Sequence, residues 1–210
     1  MQEHQFSTTR TARYFTLGQS ENAAEVWFVC HGYGQLASRF LERFHPIEAA
    51  GRCIVAPEGL SRFYLTEDPA ERRVGASWMT REDRLHEIDD YVRYLDALYG
   101  TIVRAKTRVT ALGFSQGTAT VARWAALGGS RIDRLILWGG EVPPDLDLRR
   151  LRVPTLTLVY GTSDQFFTSK VVAANEARLR EHRIAYDLIS FDGAHEITEA
   201  TLLQVASGRV

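Results

Sequence analysis

The chain has 210 residues, of which 45% are hydrophobic and 24% are charged. This composition is typical of a globular protein with one sizeable core, so we expect a single domain over residues 1–210. Its 25 Lys and Arg residues are balanced by 26 Asp and Glu residues, and the formal net charge of -1 excludes a global electrostatic attraction to nucleic acid or to an anionic membrane. The expected partner is a small molecule.

Targeting and redox signals point to the same kind of protein. The first ten residues are polar and contain no apolar segment of a secretory signal. No stretch of the chain approaches the roughly 18 consecutive apolar residues that a membrane-spanning helix requires. These features predict a cytoplasmic protein with no stable membrane insertion. Cys30 and Cys53 each lie within a short apolar run, where a reduced, buried thiol is commoner than a disulfide.

Short apolar runs rich in β-branched and aromatic residues alternate with longer segments of helical period. This alternation predicts an α/β fold in which parallel strands are joined by crossover helices. In chain order, the predicted strands cover residues 5–9, 13–17, 25–30, 52–56, 108–113, 134–138, 156–160 and 186–191. A hairpin between the first two strands is one possible pairing. The predicted helices cover residues 37–50, 82–99, 116–127, 169–182 and 196–206.

The most informative segment is Gly113-Phe-Ser115-Gln-Gly117, which stands between a predicted strand and a predicted helix. A serine on such a sharp turn has a strained backbone, and side chains larger than hydrogen at the two glycines would collide with the neighbouring strand and helix. The turn presents the hydroxyl beside a helix N-terminus, whose free amides stabilise a developing oxyanion. We therefore predict that Ser115 is a nucleophile. A helix N-cap serine would explain neither glycine.

A serine nucleophile needs a base that is itself oriented by an acid. Two later strands are each followed by a suitable residue, Asp164 in Gly161-Thr-Ser-Asp164 and His195 in Phe191-Asp-Gly-Ala-His195. The chain order Ser, Asp, His is that of the α/β hydrolases. We predict that His195 is the base and that Asp164 orients it. Glu141 is the alternative acid, in which case Asp164 would only cap a turn.

A glycine-containing loop, His31-Gly-Tyr-Gly34, follows the third predicted strand. Such a loop supplies the second half of an oxyanion hole in this kind of site. We predict that the backbone N–H groups of Tyr33 and Gln116 are the two donors. His31 stands at the start of this loop, and we expect it to brace the loop through side-chain hydrogen bonds rather than to transfer protons.

Aromatic residues are frequent in the loops expected at this edge of the sheet. We predict that Trp78, Phe166 and Phe167 line the substrate pocket, because apolar walls exclude water and strengthen the stabilisation of the oxyanion. No segment resembles an inserted helical cap, so an open cleft is expected. Residues 58–74 are long enough to form a flap over one side. The charged residues of this flap are expected to be solvated: Glu58, Arg62, Glu71, Arg72 and Arg73.

Four segments together resemble the phospholipase/carboxylesterase family of α/β hydrolases, which includes acyl-protein thioesterases. They are His31-Gly-Tyr-Gly34, Gly113-Phe-Ser-Gln-Gly117, Gly161-Thr-Ser-Asp164 and Gly193-Ala-His-Glu-Ile197. The resemblance covers residues 25–205 and also takes in Ala76-Ser-Trp78. It implies an α/β-hydrolase fold, with a mostly parallel central sheet of about eight strands flanked by helices and without a large cap domain.

The same resemblance implies a serine esterase that hydrolyses carboxylic esters through an acyl-enzyme, without a metal or another cofactor. The alternative is an acyl-protein thioesterase or lysophospholipase-type activity on longer acyl chains, and the non-enzymatic alternative is a catalytically silent protein that binds an apolar ligand. Met79-Thr80 and Gln165-Phe-Phe167 depart from the residues that are usual in the family, which leaves the acyl preference open. The formation of a homodimer is also left open.

Overall fold

The computed structural model describes residues 1–68, 70 and 72–208. Helices and strands alternate along most of the chain, as the sequence predicts. In the described part of the chain the elements are β1 (Tyr14–Leu17), β2 (Glu25–Cys30), α1 (Ala37–Leu41), β3 (Arg52–Pro57), β4 (Ser61–Tyr64), β5 (Val74–Ser77), α2 (Arg84–Ile102), β6 (Arg108–Phe114), α3 (Gln116–Leu127), β7 (Arg134–Trp138), β8 (Thr155–Gly161), α4 (Ser169–Glu181), β9 (Asp187–Phe191) and α5 (Glu199–Ser207).

Seven of the described strands form the central sheet, in the order β1-β3-β2-β6-β7-β8-β9. β1 is antiparallel to β3, and the other neighbours are parallel. Successive side chains of a strand point to opposite faces: in β2, Val26 and Phe28 belong to one apolar core, whereas Trp27 and Val29 belong to another. The sheet therefore lies between two cores, and the carboxyl ends of its parallel strands share one edge.

The predicted α/β class is confirmed, but the strand count is one lower than predicted among the described residues of the sheet. Residues 5–9 form no strand and are exposed. The physical reason is that Phe6, their one apolar side chain, is 93% exposed, so a strand there would bury almost nothing. The hairpin between the first two predicted strands is wrong for the same reason, and β1 pairs with β3 instead.

The predicted helices are also found, and the main difference is at the first of them. The sequence predicts one helix over residues 37–50, whereas α1 ends at Leu41 and the chain continues as a 3₁₀ helix over Glu42–Ile47. Pro46 lies inside this segment, and proline lacks the N–H that an α-helix would use there. The other four helices begin and end within three residues of their predicted bounds.

The segment predicted as a flap, residues 58–74, contains β4 and leads into β5, and these two strands pair as an antiparallel hairpin. Neither strand was predicted from the sequence; each has only four residues, and the pair lies outside the central sheet. The prediction that Glu58 is solvated is wrong: it is 2% exposed and accepts hydrogen bonds from Nε of Arg13 at 2.6 Å and from the amide of Ala37 at 3.2 Å. Glu71 lies outside the described residues, and the remaining three charged residues are exposed, namely Arg62, Arg72 and Arg73.

Asp96 on α2 holds the C-terminal end of α3, the helix that begins next to Ser115. Its carboxylate accepts hydrogen bonds from the hydroxyl of Ser130 at 2.6 Å, the amide of Gly129 at 2.8 Å and Nε1 of Trp124 at 2.8 Å. Burial on its own would raise the pKa of Asp96, but these hydrogen bonds outweigh it and hold the pKa below its ordinary value. The ionised side chain of Asp96 therefore holds α2 against the C-terminal end of α3.

We expect Asp96→Ala to lower the free energy of unfolding by about 2–4 kcal/mol, because the N–H of Trp124 and two backbone amides lose their acceptor. Asp89→Ala, on an exposed position of α2, is the matched control and should change it by less than about 0.5 kcal/mol. Urea unfolding measures both. Because the pKa of Asp96 is lower in the folded protein than in the unfolded chain, its ionised carboxylate stabilises the folded state above the unfolded-state pKa. This stabilisation is lost as the pH falls through the folded-state pKa, so the difference between Asp96→Ala and the wild type should shrink below about pH 4. Equal losses in the two variants would contradict this role.

Candidate active site

Ser115 lies on the turn between β6 and α3, with φ of 53° and ψ of -118°. Residues other than glycine rarely adopt this conformation, which is strained. The turn is held on both sides, because the amide of Ser115 donates to the carbonyl of Trp138 at 2.9 Å and its carbonyl accepts from the hydroxyl of Thr118 at 2.7 Å. The strain is therefore maintained by the surrounding structure, as at many nucleophilic serines.

Two glycines make this turn possible. A Cβ on Gly113 would lie 2.1 Å from the carbonyl oxygen of Gly117, and a Cβ on Gly117 would lie 2.1 Å from that of Cys30. Both distances are far below van der Waals contact, so the predicted collisions are confirmed. The backbone of the turn thus rests directly on the end of β2, in agreement with the register that pairs Gly113 with Cys30.

The structure brings Asp164 and His195 together from the ends of two neighbouring strands, β8 and β9. Nδ1 of His195 lies 2.6 Å from Oδ2 of Asp164, and Oδ1 accepts from the amides of Phe166 and Phe167 at 2.8 and 2.9 Å. Burial on its own would raise the pKa of Asp164, but the two amides and His195 outweigh it and hold the pKa below its ordinary value. An ionised Asp164 keeps the proton of a neutral His195 on Nδ1, which leaves Nε2 able to accept one.

Ser115 and His195 line the same cavity, which has a volume of about 350 Å³. Glu141, the alternative acid, also lines this cavity. The orienting hydrogen bond of His195 nevertheless goes to Asp164, so the geometry favours Asp164 over Glu141. A serine hydroxyl and an imidazole that is hydrogen-bonded to a carboxylate therefore lie in one cavity at the carboxyl edge of the sheet.

Two of the three predicted pocket residues line the cavity, and the third does not. Phe167 is buried and Phe166 is 69% exposed, and the centroid of the Phe166 ring lies 5.1 Å from that of His195 in an edge-to-face arrangement. The prediction that Trp78 lines the pocket is wrong. Its side chain is 2% exposed and lies beneath the loop after β2, where Nε1 donates to the carbonyl of His31 at 2.9 Å. The indole needs a hydrogen-bond acceptor when buried, and the loop supplies it away from the cavity wall.

The predicted oxyanion donors lie on either side of Ser115. Gly32, the neighbour of Tyr33, is so close that a Cβ on it would lie 3.1 Å from Cβ of Ser115. The amides of Gly32, Gly34 and Ser115 are engaged with the side chain of Gln35 and the carbonyls of Ala76 and Trp138. By contrast, the amides of Tyr33 and Gln116 have no acceptor among the described residues. Two free N–H donors are therefore available beside the serine.

His31 braces the loop that carries Tyr33, as predicted. Its Nδ1 lies 2.8 Å from the carbonyl oxygen of Gly32, and its Nε2 accepts from the amide of Gly59 at 3.0 Å. This pair of contacts corresponds to a neutral ring that donates through Nδ1. Burial lowers the pKa of His31, which also favours the neutral form. The ring therefore joins the loop to the segment that leads into the β4–β5 hairpin.

No protein-family model matches the sequence, and no curated protein matches it. Solved structures do match over nearly the whole chain. A carboxylesterase from Mesorhizobium loti is 20% identical with a TM-score of 0.74, over 94% of this chain and 93% of that one. Acyl-protein thioesterase 2 from Zea mays is 15% identical with a TM-score of 0.74, over 94% of this chain and 97% of that one. The chain has the α/β-hydrolase fold. A third match, esterase PE8, is 19% identical with a TM-score of 0.70, over 95% of this chain and 98% of that one.

Within this α/β-hydrolase fold, three contributions to the site escaped the sequence analysis. The side chain of Gln116 accepts from the amide of Trp78 at 3.1 Å and donates to the carbonyl of Met79 at 2.8 Å, which ties α3 to the end of β5. Gly139 packs against His195 and Asp164, since a Cβ on it would be 3.0 Å from Cε1 of His195 and 3.5 Å from Oδ2 of Asp164. Arg123 lines the cavity two turns along α3. The one available signal was the position of Gly139 directly after a strand.

The described residues contain no group of three or more His, Cys, Asp or Glu side chains that could hold a metal ion. Cys30 and Cys53 are both free and buried, as predicted, and burial raises the pKa of each thiol. No helix in the described part of the chain is long and apolar enough to cross a bilayer.

We expect Gly113→Ala to lower the free energy of unfolding by more than about 3 kcal/mol, because the new Cβ would displace the backbone of Gly117. Gly100→Ala is the matched control within α2, where an added Cβ meets no atom within 4 Å. It should stabilise by about 0.5–1 kcal/mol through the higher helix propensity of alanine. Thermal unfolding compares the two variants. Similar melting temperatures for both would show that the close contact at the turn is not a real constraint.

Proposed function

We propose that this protein is a serine hydrolase that cleaves carboxylic esters through an acyl-enzyme. The observation that carries the proposal is a strained Ser115 in one cavity with a histidine whose Nδ1 is hydrogen-bonded to the buried Asp164. A structural serine needs neither the strain nor an oriented base, whereas acyl transfer needs both. Names of the matched structures, carboxylesterase, esterase and acyl-protein thioesterase, agree with this class of reaction.

In the proposed mechanism, Nε2 of His195 takes the proton of the Ser115 hydroxyl as its oxygen attacks the ester carbonyl. The N–H groups of Tyr33 and Gln116 stabilise the resulting oxyanion. The imidazolium, stabilised by Asp164, then protonates the leaving alcohol as the bond to it breaks. A water molecule, deprotonated by the same histidine, attacks the acyl-enzyme and releases the acid. Every proton that leaves a nucleophile is returned to a leaving group.

We assign the cavity beside Ser115 to the acyl chain. Its volume of about 350 Å³ is at the lower end of the range for small-molecule sites, which favours short acyl chains over long ones. Phe166, Phe167 and Val171 supply apolar surface on one wall. The second candidate function is thioester hydrolysis, which the matched acyl-protein thioesterase favours. The same residues would serve it, because only the leaving atom changes from oxygen to sulfur.

The test is intact-mass analysis after treatment with a fluorophosphonate, which reacts only with an activated serine. We expect one adduct per chain in the wild type and none in Ser115→Ala or His195→Ala. Ser169→Ala, an exposed serine at the start of α4, is the control and should be labelled like the wild type. A folded wild type that stays unlabelled would favour the catalytically silent binder instead.

We further expect Asp164→Asn to reduce kcat/KM for a short-chain ester by about 10²- to 10⁴-fold, because an amide N–H facing Nδ1 selects the wrong tautomer of His195. Glu141→Gln, which changes the other carboxylate of the cavity, should alter kcat/KM less than about threefold. Because the pKa of Asp164 is held below its ordinary value, its carboxylate is ionised above about pH 5, and the comparison is made at about pH 8. A larger loss in the Glu141 variant would reverse the assignment of the acid.

A further inference from the structure

A second cavity, of about 210 Å³, lies between the loop after β2, α1 and the β4–β5 hairpin. We call it the arginine groove, because Arg39, Arg43 and Arg73 line it. Its apolar surface comes from the side chains of Phe40 and Leu65, among others. It shares none of its lining residues with the cavity that contains Ser115. The two cavities are therefore separate sites built from different parts of the fold.

The arginine groove carries an unbalanced positive charge. No acidic residue is among the described residues that line it, and none of its three arginines forms an ion pair within the described part of the chain. Other arginines of the fold are paired, for example Arg52 with Glu25 at 2.8 Å. Since the formal net charge of the whole chain is -1, the excess is local. Three like charges around one concave surface repel each other, and a bound anion relieves that repulsion.

The arginine groove adjoins the oxyanion loop. Gly34 and Gln35 line the groove, and Oε1 of Gln35 accepts from the amide of Gly32 at 2.8 Å. The amide assigned as the oxyanion donor, that of Tyr33, lies between these glycines in the chain. A group bound in the groove is therefore in contact with the same loop that holds the ester carbonyl.

The arginine groove lies next to Ser115 across the loop after β2. A Cβ on Gly32 would lie 3.1 Å from Cβ of Ser115 and 3.2 Å from Oε1 of Gln35, a residue that lines the groove. A small molecule that crosses this loop would therefore extend from the arginines to the reacting ester. Because the other cavity receives the acyl chain, the portion that extends toward the groove is the leaving alcohol.

We propose that the arginine groove binds a phosphate group on the leaving alcohol, so that the preferred substrates are short-chain esters of small phosphorylated alcohols. This inference rests on the proposed esterase function. A phosphate carries close to two negative charges and three terminal oxygens, which suits several forked guanidinium donors better than the two oxygens of a carboxylate. The lining of Phe40 and Leu65 suits the carbon atoms that separate the phosphate from the ester.

The first experiment compares 1-butanoylglycerol 3-phosphate with 1-butanoylglycerol, which present the same scissile ester with and without the phosphate. We expect the wild type to favour the phosphorylated ester at least about fivefold in kcat/KM at low ionic strength, and this preference should shrink at about 0.5 M salt. The triple variant Arg39→Gln, Arg43→Gln and Arg73→Gln should reduce the preference to about one. A preference that survives in this variant would overturn the proposal.

The matched control is the triple variant Arg104→Gln, Arg150→Gln and Arg152→Gln. It removes the same charge from exposed positions in the loops that lead into β6 and β8, at the opposite edge of the sheet. It should keep the preference of the wild type, since long-range attraction contributes little beyond a Debye length. Equal loss in both triple variants would show that net charge, and not the groove, causes the preference.

A binding measurement separates this proposal from the proposed function. Calorimetric titration of Ser115→Ala with glycerol 3-phosphate should show binding that is lost when the three groove arginines are also changed to glutamine. If neither ester is hydrolysed but this binding is observed, the esterase function fails and the anion site stands. If inorganic phosphate binds as tightly as glycerol 3-phosphate, the groove is a site for free phosphate and the substrate assignment is overturned. Absence of binding, together with equal rates for the two esters, overturns the inference as a whole.

Discussion

The site depends on a backbone contact that leaves no room for a side chain. The first turn of α3 approaches the end of β2 so closely that a Cβ on Gly117 would lie 2.1 Å from the carbonyl oxygen of Cys30. This approach sets Ser115 against the loop after β2, where a Cβ on Gly32 would lie 3.1 Å from Cβ of Ser115. Because both partners are anchored in the sheet, the amides that we propose as oxyanion donors would be ordered before any substrate binds, and little conformational entropy would remain to be lost.

The backbone also sets the charge state of the candidate acid. Two of the hydrogen bonds that keep Asp164 ionised come from the amides of Phe166 and Phe167, whose side chains line the cavity. The loop of Phe166 and Phe167 therefore contributes in two ways: its backbone amides bind Asp164, and its side chains line the cavity. Its side chains can change with the substrate, whereas its amides, and with them the environment of the carboxylate, stay the same. This separation explains how unusual residues after Asp164 are compatible with an intact acid–base pair.

The parts of the structure that the sequence predicted follow from local rules. A serine between two glycines at a strand end, and an acid and a histidine after two later strands, reach one edge of the sheet through topology alone. The errors concern residues whose surroundings are set by distant partners. Trp78 was predicted in the pocket, but its acceptor is 47 residues away at His31. Glu58 was predicted in solvent, but it pairs with Arg13, 45 residues earlier. No periodicity or spacing contains this information, because it arises only when the chain packs.

The pair of Arg13 and Glu58 also marks where the chain can be shortened. Residues 1–11 are exposed and belong to no helix or strand, so a fusion partner or a new terminus can be placed among them with little effect on the core. Removing Arg13 is different, because the buried carboxylate of Glu58 would lose its contact at 2.6 Å and keep only the longer one with Arg62, at 3.4 Å, and the amide of Ala37. The lower boundary of a minimal folded unit is therefore set by one guanidinium that precedes the first strand.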